Sequence, residues 1–308
     1  MLVDSHMHVN FNGFALNDII KYLDTNRIDC CWLLTWEEVQ PGKWPYQHLP
    51  VEEVFDAYSK HPDRIVPMYA PDPTMDDAAA KLESWHQRGI RGCGELKTTL
   101  NWDSPRLRGL LAAAAKLGVP VVFHMEEARS ILTPQSTAIR DRLVCAAARL
   151  ATRTHLFKSR LERLTFPGYL LDFASLERAL NDFPELNFIG HGLMFWKYIS
   201  ADAPQRRESL PTGPVTGEGL IWRLFREHPN LYADISGDSG FNALARDPAN
   251  AKVFLSTFAD RILYGTDNVM AGQRQFLDSL GLAPRTYSRL YGENACSLVR
   301  VPPRGAPP

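Results

Sequence analysis

The chain has 308 residues, 45% hydrophobic and 22% charged, with a formal net charge of -1, which excludes a disordered chain and offers neither a basic field for nucleic acid nor an acidic tail. Its five cysteines, at 30, 31, 93, 145 and 296, have neither disulfide-framework nor metal-site spacing, so a reducing, cytoplasmic setting is expected. The chain opens without a signal-peptide pattern, and no eighteen-residue apolar run marks a membrane span.

Short apolar runs alternate with longer stretches of helical period. The first predicted strand covers residues 2–5, and a helix over 16–25 follows, with Ile19, Ile20 and Leu23 on one face. A second strand covers 28–34. Residues 36–50, rich in Trp and Pro, lack a clear period and are expected to form a lid or pocket wall. A helix over 51–60, a strand over 65–69 and a helix over 75–88 come next. The fourth strand, 91–96, is unusual in carrying a carboxylate, Glu95. A strongly apolar helix over 106–117 leads to a fifth strand, 119–123, which ends at His124. Residues 134–152 hold one helix and 153–168 have no clear period, so this region reads as an insertion. A helix over 173–183 precedes the sixth strand, 186–189, and Gly190-His191-Gly192. After a second irregular stretch, 193–217, a helix covers 219–227, the seventh strand 231–235 and a mainly helical segment 241–254. The eighth strand, 262–264, runs into Gly265-Thr266-Asp267, and two short helices near 273–280 and 292–299 follow.

Eight apolar strands alternating with helices predict an all-parallel sheet covered by helices. At this length closure into a TIM-like (β/α)8 barrel is the economical α/β solution, with insertions after strands five and six. The expected organisation is a single barrel domain over 1–300 and a flexible Pro-rich tail over 301–308. A doubly wound open sheet would instead show a Gly-rich phosphate loop after the first strand, where residues 10–15 contain only Gly13.

The polar residues fall where a barrel would use them. His6 and His8 lie at the first strand, two apart and so on one face of an extended segment. Glu95 ends strand four, His124 follows strand five, His191 follows strand six and Asp267 ends strand eight. In a parallel barrel all these ends open on one face, the one that carries catalytic residues. A helix cap would explain His124 or Asp267 singly, but six such groups brought together need a bridging divalent cation. Imidazole pairs suit zinc, with manganese as the second choice.

The sequence Asp4-Ser5-His6-Met7-His8, the histidine after strand five, Gly190-His191-Gly192 and Gly265-Thr266-Asp267 together resemble the amidohydrolase superfamily. The stretch from Phe183 to Gly192, Tyr232-Ala233-Asp234-Ile235-Ser236 and Tyr291-Gly292-Glu293-Asn294-Ala295 are similar to the amidohydrolase-2 branch of metal-dependent (β/α)8 hydrolases and decarboxylases. The resemblance extends from residue 2 to about 299. It implies that His6 and His8 are ligands of the deeper metal, that His124 is a third ligand, and that Asp267 is a ligand or the general base. It implies for His191 either ligation of a second metal or a catalytic role beside one metal. Glu95 departs from branches with a lysine near the end of strand four, and Lys97 lies two residues on. Glu95 is expected either to bind one metal or bridge two, or to pair with Lys97 or Arg91.

The main expectation is therefore hydrolysis of an amide, lactone or other ester of a small organic substrate. A metal lowers the pKa of a bound water from 15.7 toward roughly 7, Asp267 moves the proton, and His191 or His124 stabilises an oxyanion if no metal occupies it. The alternative is metal-dependent decarboxylation of a small carboxylic acid, with Arg129, Lys158, Arg160, Arg206 or Arg207 clamping an anion. A third reading is a metal-stabilised binding protein without catalysis. Trp36, Trp44 and Trp196 are candidate pocket walls, and Ser236 and Asp238 are candidate substrate contacts. Beyond a small-molecule substrate, a homo-oligomer is an option by analogy alone, and no nucleic-acid or membrane partner is expected.

Overall fold

The computed structural model of the protein describes residues 1–11, 13–37, 48–130, 165–166, 168–268 and 271–299. Ten strands occur among them: β1 (Val3–Met7), β2 (Cys30–Leu33), β3 (Ile65–Pro67), β4 (Cys93–Leu96), β5 (Val121–His124), β6 (Arg129–Ser130), β7 (Thr165–Phe166), β8 (Phe188–His191), β9 (Leu231–Asp234) and β10 (Ile262–Leu263). β6 and β7 form a separate antiparallel pair. The other eight are the barrel, and all pair in parallel, in the orders β1-β2-β3 and β4-β5-β8-β9-β10.

Backbone hydrogen bonds join these two ladders at both ends. Arg91 N–H donates to Pro67 O (2.9 Å) and Tyr69 N–H to Gly92 O (3.0 Å), which links β3 to β4. Ser5 N–H donates to Tyr264 O (2.9 Å) and Asp267 N–H to His6 O (2.8 Å), which links the end of the ring to β1. The ring thus has no open edge, as expected of a (β/α)8 barrel.

Period-2 alternation sorts the side chains into two cores. Val3, Trp32, Leu34, Val66, Met68, Val122, Ile189 and Leu263 fill the barrel interior. Their strand neighbours Cys31, Leu33, Val121, Phe123, Phe188, Leu231 and Ala233 face outward onto the helices. Helix Pro105–Leu117 shows how the outer layer is made: Pro105 occupies its first turn, Leu107, Leu110, Leu111 and Ala114 are buried, and Gly118 ends it in a left-handed conformation (φ +66°). Helix Leu220–Glu227 buries Ile221, Trp222, Leu224 and Phe225 in the same way.

Two expected segments are organised differently. The helical stretch expected over 241–254 is two helices, Gly237–Ala245 and Pro248–Thr257. Asp247 divides them because its carboxylate accepts Asn250 N–H (3.0 Å) and Pro248 opens the next turn. The stretch read as irregular over 193–217 contains helix Leu193–Lys197 and a single 3₁₀ turn, Ala203–Gln205. Residues 134–164 of the expected insertion, with Lys158 and Arg160, fall outside the described residues, as do Trp44, the tail 301–308 and most of the expected lid over 36–50. Among the described residues no helix is long and apolar enough to cross a membrane.

Candidate metal centre

The alternation that fills the barrel also delivers the site. Two residues beyond interior Val122 comes His124, and two beyond Ile189 comes His191. Asp234 stands in the same relation to Tyr232, which packs against the interior cluster. β1 and β4 need a further device. Val3 faces the interior, so plain alternation would turn His6 outward. A register shift between Asp4 and Met7 changes the parity, leaving Met7 among the helices while His6 and His8 join the central group. A second shift lies between Cys93 and Leu96, where Glu95 sits. Bulges re-aim side chains in this manner at barrel rims.

All six expected site residues converge. His6 Nε2 and His8 Nε2 are 3.2 Å apart. Glu95 Oε2 is 3.6 Å from the first and 3.4 Å from the second. Asp267 Oδ1 is 3.4 Å from His8 Nε2. The other Glu95 oxygen, Oε1, is 2.6 Å from His124 Nδ1 and 3.7 Å from His191 Nε2. Asp267 Oδ2 is 4.0 Å from His191 Nε2.

Each imidazole is steadied through its other nitrogen. His6 Nδ1 lies 3.1 Å from Asp234 Oδ2 and His191 Nδ1 lies 3.0 Å from Asp234 Oδ1. His8 Nδ1 lies 2.9 Å from Leu34 O, and His124 Nε2 lies 3.0 Å from Glu126 Oε2. Partners of this kind orient metal-ligating histidines. Asp267 reaches inward because it and Asn268 both take left-handed φ (+49° and +62°), which Asp and Asn tolerate. Gly237 leaves the necessary space, since a Cβ there would stand 2.9 Å from Asp267 Oδ2.

The carboxylates are held ionised. Burial would raise Glu95, but the Lys97 ammonium and His124 bring it well below the usual carboxylate range. Burial acts equally on Asp234, and His191 and His6 outweigh it. Asp267 is lowered against burial by its hydrogen bond with His8 and by the imidazoles around it. Burial opposes charge on His6 and His124, yet the Asp234 and Glu95 carboxylates raise the first and Glu95 and Glu126 the second. Burial prevails at His191, which is lowered. Cation binding would therefore displace protons from imidazoles and leave the acids unchanged.

Lys97 is the counter-charge within the protein. Its Nζ contacts Glu95 Oε2 and stands 3.7 Å from the centre of the Trp36 ring. In metal-free protein, Lys97→Met removes one partner of a buried pair. It is expected to cost about 3–5 kcal/mol there and much less once metal neutralises Glu95. Urea unfolding with chelator and with zinc checks this; an equal loss in both states would contradict it.

Asp4, beneath the site, is moved by burial from an ordinary 3.8 to about 6, although Thr266 and the His6 backbone N–H bond it. A raised carboxyl pKa means the folded state holds its proton longer. Its stabilising contribution is present below pH about 4 and is lost as pH rises through about 6. The metal-free Asp4→Asn protein should be more stable than the parent by roughly 3 kcal/mol above pH 7, with the gap closing in acid. Parallel denaturation series from pH 4 to 8 measure that gap, and a constant difference would refute the assignment.

The residues named as substrate contacts separate. Trp36 walls the centre, with its ring centroid 4.9 Å from that of His8. Trp196 does not line the mouth: it is buried against Phe195 and Phe254, and its indole N–H donates to Asp234 O (2.8 Å). Helix Leu193–Lys197 starts directly after β8 and turns the ring inward. Ser236 is buried and its Oγ lies 3.0 Å from His191 Nδ1, so it bears on the histidine. Asp238 is exposed on the first turn of helix Gly237–Ala245 and is not among the clustered groups. Arg206 is engaged by Asp202 (2.7 Å) and Arg207 is exposed. The Arg129 side chain lies outside the described residues. Sequence reasoning misses Glu126 altogether and reaches Asp234 only as part of the 232–236 motif, with no role of its own. For Glu126 the signal is its position two residues beyond His124, hence on the same face.

The donor set fits divalent metal. His6, His8 and Asp267 form one group and Glu95, His124 and His191 another, with the chosen atoms of each within 4.8 Å of one another. Ligands about 2.0–2.2 Å from one tetrahedral ion stand roughly 3.4 Å apart, close to the spacings here. A group away from this centre, Glu177, Glu227 and His228, already has the Arg223 guanidinium between its carboxylates (2.7 and 2.9 Å to Glu177).

A parallel (β/α)8 barrel with a buried histidine–carboxylate cluster at the strand ends defines the class: a barrel built around a candidate metal centre. The chain belongs to the amidohydrolase family, whose model (Amidohydro_2) matches residues 37–300. No curated protein matches the chain. Among solved structures it is similar to an uncharacterized TIM-barrel protein from Bordetella bronchiseptica (16% identity, 96% of this chain and 97% of that one, TM-score 0.60). It is also similar to a probable 2-pyrone-4,6-dicarboxylic acid hydrolase from Acinetobacter baumannii (13%, 96% and 98%, TM-score 0.54). A third is the 5-carboxyvanillate decarboxylase from Novosphingobium aromaticivorans, complexed with manganese and 4-hydroxy-3-methoxy-5-nitrobenzoic acid (16%, 92% and 80%, TM-score 0.52).

Proposed function

We propose that this protein is a metal-dependent hydrolase acting on an amide, lactone or other ester of a small organic substrate. The observation that carries the reading is the division of Glu95: one oxygen faces His6 and His8, the other His124 and His191. One carboxylate placed so could offer an oxygen to each of two cations. His6, His8, Asp267 and Glu95 would hold the first, and Glu95, His124 and His191 the second, with zinc preferred and manganese next. Bound there, divalent metal supplies Lewis acidity, acidifying a water and polarising a carbonyl.

The remaining work falls to side chains. Asp267 is the ligand-side group with the most open carboxylate, 29% exposed, so it is the one placed to take a proton from an attacking water and return it to the leaving group. Asp234 and Ser236 hold His191 in orientation. Trp36 and Phe11 screen His8 from solvent, their rings 5.6 Å apart. Lys97 offers positive charge to an oxyanion or a substrate carboxylate.

That last feature favours a second reading, decarboxylation of a small carboxylic acid, as in the manganese complex of the same fold. The two reactions differ in what enters and leaves. Incubating zinc- or manganese-loaded protein with panels of lactones, amides, esters and aromatic acids in ¹⁸O-water decides between them. Label in the product acid supports hydrolysis; carbon dioxide release with an unlabelled organic product supports decarboxylation. Tight binding of these compounds with neither outcome would replace both with a binding protein. A cytoplasmic enzyme of small molecules completes the proposal.

A further inference from the structure

One carboxylate in this centre serves two histidines, one in each half of the ligand set. Asp234 Oδ2 is bonded to His6 Nδ1 (3.1 Å) and Asp234 Oδ1 to His191 Nδ1 (3.0 Å). An ionised carboxylate only accepts, so both imidazoles must carry hydrogen on Nδ1, and in their neutral forms they present Nε2 lone pairs to the centre. His6 Nε2 then faces Glu95 Oε2 and His191 Nε2 faces Glu95 Oε1. Asp234 is itself pinned: its carbonyl accepts the Trp196 indole N–H (2.8 Å), and Oδ1 accepts the Ser236 backbone N–H (3.1 Å) and the Ser236 hydroxyl.

We propose that Asp234 is the positioning residue that sets the tautomer of His6 and His191 together, and that its two oxygens are unequal in a way an amide would expose. The proposal rests on the two-half metal centre described above. The inequality comes from Ser236. A backbone N–H can only donate, so the atom opposite it must be an acceptor. In an Asp234→Asn protein the amide oxygen therefore takes the Oδ1 position, still serving Ser236 N–H and His191 Nδ1–H. The amide nitrogen falls at the Oδ2 position and donates to His6 Nδ1. His6 must then accept at Nδ1 and carry its hydrogen on Nε2, directed at His8 Nε2, 3.2 Å away. The reverse placement would set amide N–H against backbone N–H at about 3.1 Å and leave a buried donor unmade. One isosteric change thus removes a donor from the His6–His8–Asp267 half and spares the His124–His191 half.

The test has two parts. Long-range ¹H–¹⁵N spectra of metal-free protein, followed across an alkaline pH series until the imidazoles are neutral, report each tautomer. The parent should show Nδ1–H at both His6 and His191. Asp234→Asn should move His6 alone to Nε2–H. Ser236→Ala keeps the carboxylate and should leave both histidines as in the parent. Zinc titration of Asp234→Asn should show one of two affinities weakened on the order of 10–100-fold and the other nearly unchanged. An Nε2–H tautomer at either histidine of the parent overturns the proposal without any variant having to fold. So does an unmoved His6 in Asp234→Asn, or equal weakening of both zinc affinities. A parent that binds a single zinc ion would contradict the two-cation function, while the tautomers would still judge Asp234 alone.

Discussion

Replacing Glu95 with glutamine is expected to remove at least one metal ion per chain and to lower turnover by more than about 100-fold. The argument is one of donor count. Glu95 offers an oxygen to each half of the centre, at 3.4–3.6 Å from the His6 and His8 nitrogens and 2.6–3.7 Å from those of His124 and His191. Glutamine offers one oxygen and one amide nitrogen, and the nitrogen cannot ligate. Outer partners of metal ligands already cost about 10–100-fold when removed, so the shared inner group must cost more. The substitution also leaves Lys97 facing an amide where it faced a carboxylate. Elemental analysis of parent and variant, paired with turnover on the same preparations, gives the answer. Two ions in the parent and one or none in the variant fit a shared carboxylate. One ion in both would release Glu95 and His191 for acid–base work and shift weight to decarboxylation. No metal in either would remove the account of the centre.

The second large effect is expected at Asp267. Asp267→Asn should reduce kcat by about 10²–10⁴-fold, the usual contribution of a positioned general base. KM should change little, because the group acts on water. Asp267 differs from its neighbours in exposure: its side chain is 29% exposed, while those of His6, His8 and Glu95 are at most 2% exposed. It therefore stands where substrate and water enter. Its hydrogen bond with His8 and the nearby imidazoles hold it ionised against burial. A depressed carboxyl pKa keeps its charged form until pH falls well below the ordinary carboxylate range. Loss of activity on mild acidification should accordingly track protonation of the imidazoles and release of metal, with Asp267 still charged. Metal content measured across the same pH series checks this. A variant that keeps its metal and loses less than about tenfold in kcat would show that another group moves the proton.

The order of elements and the six residues that converge at the strand ends were readable along the chain. The reason is that each barrel strand is a short buried run and the chain turns polar where the run ends, so His124, His191 and Asp267 announced themselves by position. His6 and His8 shared a face by simple alternation. Three things were hidden. The register shifts in β1 and β4 cannot be seen in the sequence, because a bulge is an agreement between two strands. Without them, the interior position of Val3 would have turned His6 outward. Trp196 looked like a pocket wall from its place after the sixth strand, but helix Leu193–Lys197 folds it into the core, where it holds the Asp234 carbonyl. Glu126 carries no signal of its own and Asp234 only its place in the 232–236 motif, since each meets a histidine on another strand or two residues back.

What the sequence alone determined was the kind of molecule: an alternation of buried strands and amphipathic helices that closes into a barrel, with histidines and carboxylates at one set of strand ends. That much is local, because period, burial and the apolar-to-polar change are properties of a few consecutive residues. The tertiary structure alone decided which nitrogen of each histidine faces inward, which oxygen of Glu95 serves which pair, and that Asp234 joins His6 to His191 across the barrel. Those are relations between residues as many as 228 positions apart. They exist only once the ring has closed and brought the strand ends around one axis.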